Sequence, residues 1–152
     1  MKTTVSIDSQ ESIEMKYSDL ANFVNWLNDD KQYAAFFARL AEHPASEVRS
    51  AVADKAALPI EIIEKLARDP SVEVVRHVAN NEHAMEKFEL SLIQEMIDRD
   101  VSVASDIADN LSMVRKDATD DIILMLMKHP DPKVVETAQQ AEDDGWLYED
   151  RA

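Results

Sequence analysis

The chain has no cysteine and a single glycine, Gly145. The first absence excludes disulfides, thiol nucleophiles, Fe–S clusters and thiolate zinc sites together. The second leaves no glycine-rich loop to cradle a phosphate. It also obliges the helices to end without a glycine cap, leaning on Pro, Asn and Asp instead. Long hydrophobic runs are missing too. The longest, Ile122 to Met127, has six residues, against the roughly 20 that span a bilayer as a helix. The N-terminus has neither the basic region nor the apolar stretch of a secretory signal, so cytoplasmic residence is the expectation.

Bases are scarce. Sixteen Lys and Arg stand against 31 Asp and Glu, a formal charge of −15. The imbalance grows along the chain: residues 1–87 carry fifteen acids and ten bases, residues 88–152 sixteen and six. Such a field repels nucleic acid and anionic lipid and favours basic partners, although acidity also serves plain solubility. The 45% apolar content of the 152 residues is that of a globular chain with one core.

What is present is a unit that recurs four times. Its clearest copy is IIEKLARDPSVEVVRHVANN, from Ile62 to Asn81. FFARLAEHPASEVRSAVADK lies 26 positions earlier and LIQEMIDRDVSVASDIADN 30 positions later, one residue shorter; IILMLMKHPDPKVVETAQQ follows at an offset of 60. A fixed period of this length is the mark of stacked supersecondary units.

Each unit divides at a turn. The first half carries apolar pairs separated by two polar positions, as in Ile62-Ile63 with Leu66-Ala67, which places one stripe on a helix. Glu61–Lys65, Glu64–Arg68 and Glu95–Arg99 are then spaced for ion pairs along an exposed helix face. The turns are His43-Pro44, Asp69-Pro70, Asp100-Val101 and His129-Pro130-Asp131-Pro132. Asp69 and Asp131 are expected as N-caps of the second helices, and His43 and His129 as partners of terminal helix carbonyls. The second half holds Val48/Val52, Val74/Val78, Val103/Ile107 and Val134/Ala138 at i,i+4. That spacing persists in all four copies while alternation does not, so these segments are expected as helices rather than strands.

The expected fold is therefore all-α: a right-handed α-solenoid of about four helix pairs over residues 33–141. Before it, residues 1–32 hold a mobile polar lead and a capping helix, N-capped by Ser18 or Asp19, that carries Leu20, Phe23, Val24 and Leu27. After it, residues 142–152 form an acidic tail with Trp146, Leu147 and Tyr148.

The segments Leu66–Ala79 and Leu40–Ala53, which share Leu-Ala, Pro, Glu-Val and Val-Ala at fixed spacing, resemble the leucine-rich-repeat-variant and HEAT-like α-solenoids. The resemblance covers roughly residues 33–141 and is weaker in the third and fourth units. It implies a solenoid fold and a habit of binding proteins, not an activity. Some leucine-rich-repeat-variant proteins hold an Fe–S centre on a cysteine cluster, which this chain lacks. HEAT-like proteins that bind DNA line the concave face with Lys and Arg, whereas the matching second-helix positions here are Glu47, Asp54, Glu73, Asn80, Asp106 and Asp109.

Constellations that would carry chemistry are thin. The four histidines, His43, His77, His83 and His129, fall in no metal-binding spacing. Asp98, Asp100, Asp106 and Asp109 lie close enough in sequence to approach one another around the third turn and hold a hard cation weakly. Arg49 and Arg76, in the middle of second helices, are expected to tie adjacent units to one another through neighbouring carboxylates. The seven methionines read as core filler.

The expected function is a non-enzymatic interaction scaffold or regulator, without cofactor or bound metal, whose concave face takes a basic protein partner and neither nucleic acid nor membrane. Its contact residues would be Glu47, Asp54, Glu73, Arg76, His77, Asn80, Asp106 and Asp109. The alternative is an acidic inhibitor or immunity-type protein that fills the basic groove of a nucleic-acid enzyme or toxin. A second contact is expected in the last unit. Leu124 and Met125 stand where the second and third units have outward polar pairs, so Trp146, Leu147 and Tyr148, or a second subunit in a homodimer, should cover them.

Overall fold

The computed structural model describes residues 1–6 and 12–143. It is mostly helical, with ten α-helices and one two-stranded sheet among those residues.

The sheet lies where the sequence reading placed only a polar lead. Strands β1 (Lys2–Ser6) and β2 (Ser12–Lys16) pair antiparallel, with Thr3 opposite Met15 and Val5 opposite Ile13. Those four residues share one face of the hairpin, while Lys2, Thr4, Glu14 and Lys16 share the other, where Lys2 and Glu14 form an ion pair. The period-two pattern was hidden because threonine and serine fill four of its ten positions, yet threonine suits a half-covered strand well. An isolated hairpin is marginal in water, and β2 packs on the helix that follows.

That helix, α1, spans Tyr17–Trp26. It begins two residues earlier than a cap at Ser18 would place it, and the residue before it, Lys16, offers no side-chain cap. Leu20, Ala21 and Val24 are buried and Leu27 is partly buried, whereas Phe23, expected on the same stripe, is exposed. A short 3-10 turn at Lys31–Tyr33 leads into α2 (Ala34–Leu40), then α3 (Ser46–Ala53), α4 (Ile60–Ala67) and α5 (Val72–Ala79). A four-residue helix, α6 (Glu82–Met85), interrupts the pattern and precedes α7 (Leu90–Arg99), α8 (Val101–Asp109), α9 (Thr119–Leu126) and α10 (Pro132–Asp143).

Two helix sets result. One helix of each expected pair packs on its partner: α2 on α3, α4 on α5, α7 on α8, α9 on α10. The second helices also pack in succession, α1 on α3, α3 on α5, α5 on α8, α8 on α10, and α4, α7 and α9 do so on the other side. Between them runs one continuous core. The pairs Val48/Val52, Val74/Val78, Val103/Ile107 and Val134/Ala138 are all buried, opposed by Phe37, Ile63, Leu66, Ile93, Met96, Ile122 and Leu126. Every C-cap from α1 to α9 has negative φ. None of these C-cap residues is left-handed, in keeping with a chain whose one glycine stands at position 145. Among the described residues, no helix is long and apolar enough to cross a membrane.

The charges on the first helices arrange themselves between helices rather than along them. Lys65 reaches Glu42 at 2.7 Å, and Arg68 grips Glu95 with bonds of 2.7 and 3.2 Å. The intrahelical pairing of Arg68 with Glu64 is replaced by one long bond to the Glu64 carbonyl, because Arg68 already sits past the end of α4.

Candidate interaction surface

The turns that join the helices of each pair share one device. The residue at the turn accepts the backbone N–H two positions on: His43 Nδ1 from Ala45, Asp69 Oδ1 from Ser71, Asp100 Oδ1 from Ser102, and His129 Nδ1 from Asp131. Histidine and aspartate are therefore interchangeable here, each supplying a short-range acceptor. The histidines thus bind N–H groups, not the carbonyls expected from sequence. Burial pushes His43 below its ordinary value of 6.5, in keeping with a ring nitrogen that must stay unprotonated to accept. Asp69 lies two residues before the N-cap Ser71 rather than at it, whereas Asp131, directly before α10, does accept the Lys133 N–H.

Arg49 and Arg76 make the ties expected of them. Arg49 is buried in α3 and holds Asp69 with two bonds of 2.7 and 2.9 Å from Nε and Nη2, while its Nη1 donates to the carbonyls of His43 and Pro44. Arg76 on α5 holds Asp106 on α8 at 2.7 and 3.3 Å. Charge-assisted forks of this kind fix orientation as well as contact.

The exposed side of α3, α5 and α8 gathers most of the contact residues expected from sequence. Asp54, just past α3, meets His77 Nδ1 at 2.8 Å, and Glu73 stands 3.6 Å from the other ring nitrogen and 3.5 Å from Arg76. The Asp54 hydrogen bond raises the His77 pKa above 6.5 despite partial burial, with the charges of Asp54 and Glu73 adding to it. Asn80 accepts from Asn110 at 2.7 Å and donates to the Arg76 carbonyl. Glu47 and Asp109 are exposed on the same helices, outside this network. The result is a polar seam that crosses from α3 to α8 with more carboxylates than cations.

The four aspartates around the third turn are not brought together. Asp98 accepts from Gln94, Asp100 from Ser102 and Asp106 from Arg76. Among the described residues, no three metal-ligating side chains converge. In the last unit, Leu124 is 53% exposed as expected, but Met125 is partly buried against the core. Leu124 lines a shallow groove with Asp120, Ile123 and Glu142. Trp146, Leu147 and Tyr148 lie outside the described residues.

Two features escaped the sequence reading. The residues after Asp54, Asn80 and Asp109 are Lys55, Asn81 and Asn110, a polar residue at one repeat position each time. Lys55 donates to the Leu27 carbonyl at the end of α1, and Asn81 to the Ala53 carbonyl at the end of α3. Asn110 reaches back to Asn80 at the end of α5. Lys55 and Asn81 thus serve orphan carbonyls of the preceding helix, where no intrahelical donor remains, while Asn110 bonds the Asn80 side-chain oxygen. The recurrence of a polar residue inside an apolar pattern was the available signal. The second feature is aromatic: Phe23 and Trp26 of α1 are 41% and 80% exposed.

The chain matches no protein family, no curated protein and no solved structure with which it was compared.

Proposed function

We propose that the four helix pairs, α2/α3, α4/α5, α7/α8 and α9/α10, form a right-handed HEAT-like α-solenoid with α1 as its N-terminal cap, and that the protein is a non-enzymatic scaffold. Its second helices line the concave side and take a basic protein partner. The observation that carries this reading is the seam of Asp54, Glu73, Asp106 and their neighbours on consecutive second helices. Solenoids use such continuous surfaces for binding because each unit contributes an equivalent position. Arg76 and His77 lie inside the seam and hold its carboxylates in place, so an incoming Lys or Arg meets fixed acceptors.

The inhibitor reading needs carboxylates gathered on one side. Acids also stand on the first helices, as Glu61 and Glu95, and just past α2 as Glu42, so the scaffold reading is the one kept. Its test is binding of a short Lys/Arg-rich peptide to the wild type and to a Glu73→Gln/Asp109→Asn variant, at low and at high salt. Binding that weakens with salt and with the substitutions is expected. Equal binding by the variant, or none by the wild type at low salt, overturns the reading.

A further inference from the structure

Phe23 and Trp26 are three residues apart on α1, hence on one side of that helix. Their positions have counterparts along the whole set of second helices. Val24 is buried on α1 as Val52, Val78 and Ile107 are on α3, α5 and α8. Trp26 follows Val24 by two residues, as Asp54, Asn80 and Asp109 follow those residues. Phe23 precedes Val24 as the buried Ala51 precedes Val52 on α3, and as His77 precedes Val78 and Asp106 precedes Ile107. Because α1 packs directly on α3, Trp26 begins the row that continues as Asp54, Asn80 and Asp109, with Phe23 beside it. An apolar end thus adjoins a negatively charged run.

Single exposed apolar residues are common and need no explanation. Here Trp26 replaces a residue that is polar on α3, α5 and α8, and Phe23 one that is polar on α5 and α8 but a buried alanine on α3, while the inward stripe of α1 keeps its own buried leucine and valine. Trp26, 80% exposed, therefore adds little to the core, and the 41% exposed Phe23 beside it leaves part of its ring open to contact.

Charge decides among the occupants. A second copy of the chain brings another −15. The C-terminal segment brings Asp144, Glu149 and Asp150 against one Arg151. Both would set negative charge against Asp19, Glu47, Asp54 and Glu73. A basic segment would not.

We infer that Phe23 and Trp26 seat an apolar anchor residue at one end of a basic peptide segment, whose Lys and Arg side chains then run along the seam from Asp54 towards Asp109. This rests on the scaffold reading above and adds to it a polarity and a composition: one large apolar side chain, followed by bases. Carboxylates alone would accept any basic chain, and the aromatic end would select among them.

Three synthetic peptides test it: a short Lys/Arg-rich peptide ending in leucine, the same peptide ending in serine, and the leucine peptide with glutamate for every base. The leucine peptide should bind about tenfold or more tightly than the serine peptide, as burial of one leucine side chain implies. Trp26→Ala should remove that difference and leave the affinity for the serine peptide unchanged. Glu73→Gln/Asp109→Asn should weaken both basic peptides alike. Equal binding of the leucine and serine peptides overturns the anchor and leaves the scaffold reading standing. Absence of binding by either basic peptide at low salt overturns both. Binding of the glutamate peptide as tightly as the basic one overturns the charge argument. A wild-type dimer that Trp26→Ala converts into a monomer would show that a second copy occupies the aromatics, and would also overturn the inference.

Discussion

Replacing Asp69 with alanine should be the most damaging polar substitution in the molecule. The change removes both carboxylate bonds to Arg49 and the acceptor of the Ser71 N–H at the turn before α5. Arg49 is only 9% exposed, so its guanidinium keeps two carbonyl partners and loses its counter-charge. Removing one side of a buried ion pair costs about 3–5 kcal/mol. In a chain of this size each kcal/mol moves Tm by about 2–4 °C, so a fall of roughly 6–20 °C is expected near neutral pH. The loss should depend on pH in a definite direction. Burial by itself would raise the Asp69 carboxyl, but the bonds from Arg49 and Ser71, with the charges of Arg49 and Arg99, hold it below its ordinary 3.8. A depressed folded value means stabilisation that is complete above 3.8 and is lost as pH falls through the folded pKa. Wild type and variant should therefore converge as the solution is acidified below that point. A paired Arg49→Met/Asp69→Leu variant, which buries no charge, should lose less than Asp69→Ala alone. Thermal and urea unfolding followed by circular dichroism would measure all three. A loss for Asp69→Ala no larger than that for Glu95→Ala, whose carboxylate pairs with Arg68 in the open, would refute the argument. So would a loss that does not change with pH.

The His77 ring offers a second pH test of opposite sign. Its pKa is raised by Asp54, so its contribution is complete below the ordinary 6.5 and lost as pH rises through the folded value; Asp54→Asn should lower the titration midpoint seen by NMR, and an unmoved midpoint would contradict the pairing. At His43, Nδ1 accepts the Ala45 N–H. His43→Asp, which copies Asp69 in the next unit, should therefore fold with stability close to wild type, whereas His43→Ala should unfold earlier in urea. Lys55 is 7% exposed and donates to the Leu27 carbonyl beneath α1 with its ammonium 5.5 Å from the Phe37 ring. Lys55→Met should cost about 1–3 kcal/mol by leaving that carbonyl unsatisfied, measured against Lys87→Met as an exposed control. Deleting residues 144–152 should increase hydrophobic dye binding if Trp146, Leu147 and Tyr148 cover Leu124; unchanged dye binding and unchanged Tm would end that proposal, and a dimer converted to monomer by Met125→Glu would assign the cover to a second subunit.

The sequence by itself determined the helices and their inward faces. The i,i+4 pairs Val48/Val52 through Val134/Ala138 mark buried stripes because a helix returns to the same side every 3.6 residues, whatever it packs against. Pro44, Pro70 and Pro130 likewise break the chain locally, since proline lacks the donor that would continue the helix. Tertiary structure decided what depends on the neighbour. Arg68 could have paired with Glu64 near the end of α4, and Lys65 with Glu61; Arg68 turns instead to Glu95 on α7 and Lys65 to Glu42 in the turn after α2, because packing sets those carboxylates at 2.7 Å. Asp69, Asp106, Asn81 and Lys55 find partners 20 to 30 residues away, distances at which no local pattern specifies a contact. The hairpin and the two aromatics of α1 belong to the same class. Thr3, Val5, Ile13 and Met15 form one face only once β1 and β2 are in register. Phe23 fits the apolar spacing of α1 as well as Leu20 does, and it stays outside because α3 approaches α1 along Leu20, Ala21 and Val24. Spacing tells which residues share a helix face; only the packing partner decides which part of that face is covered.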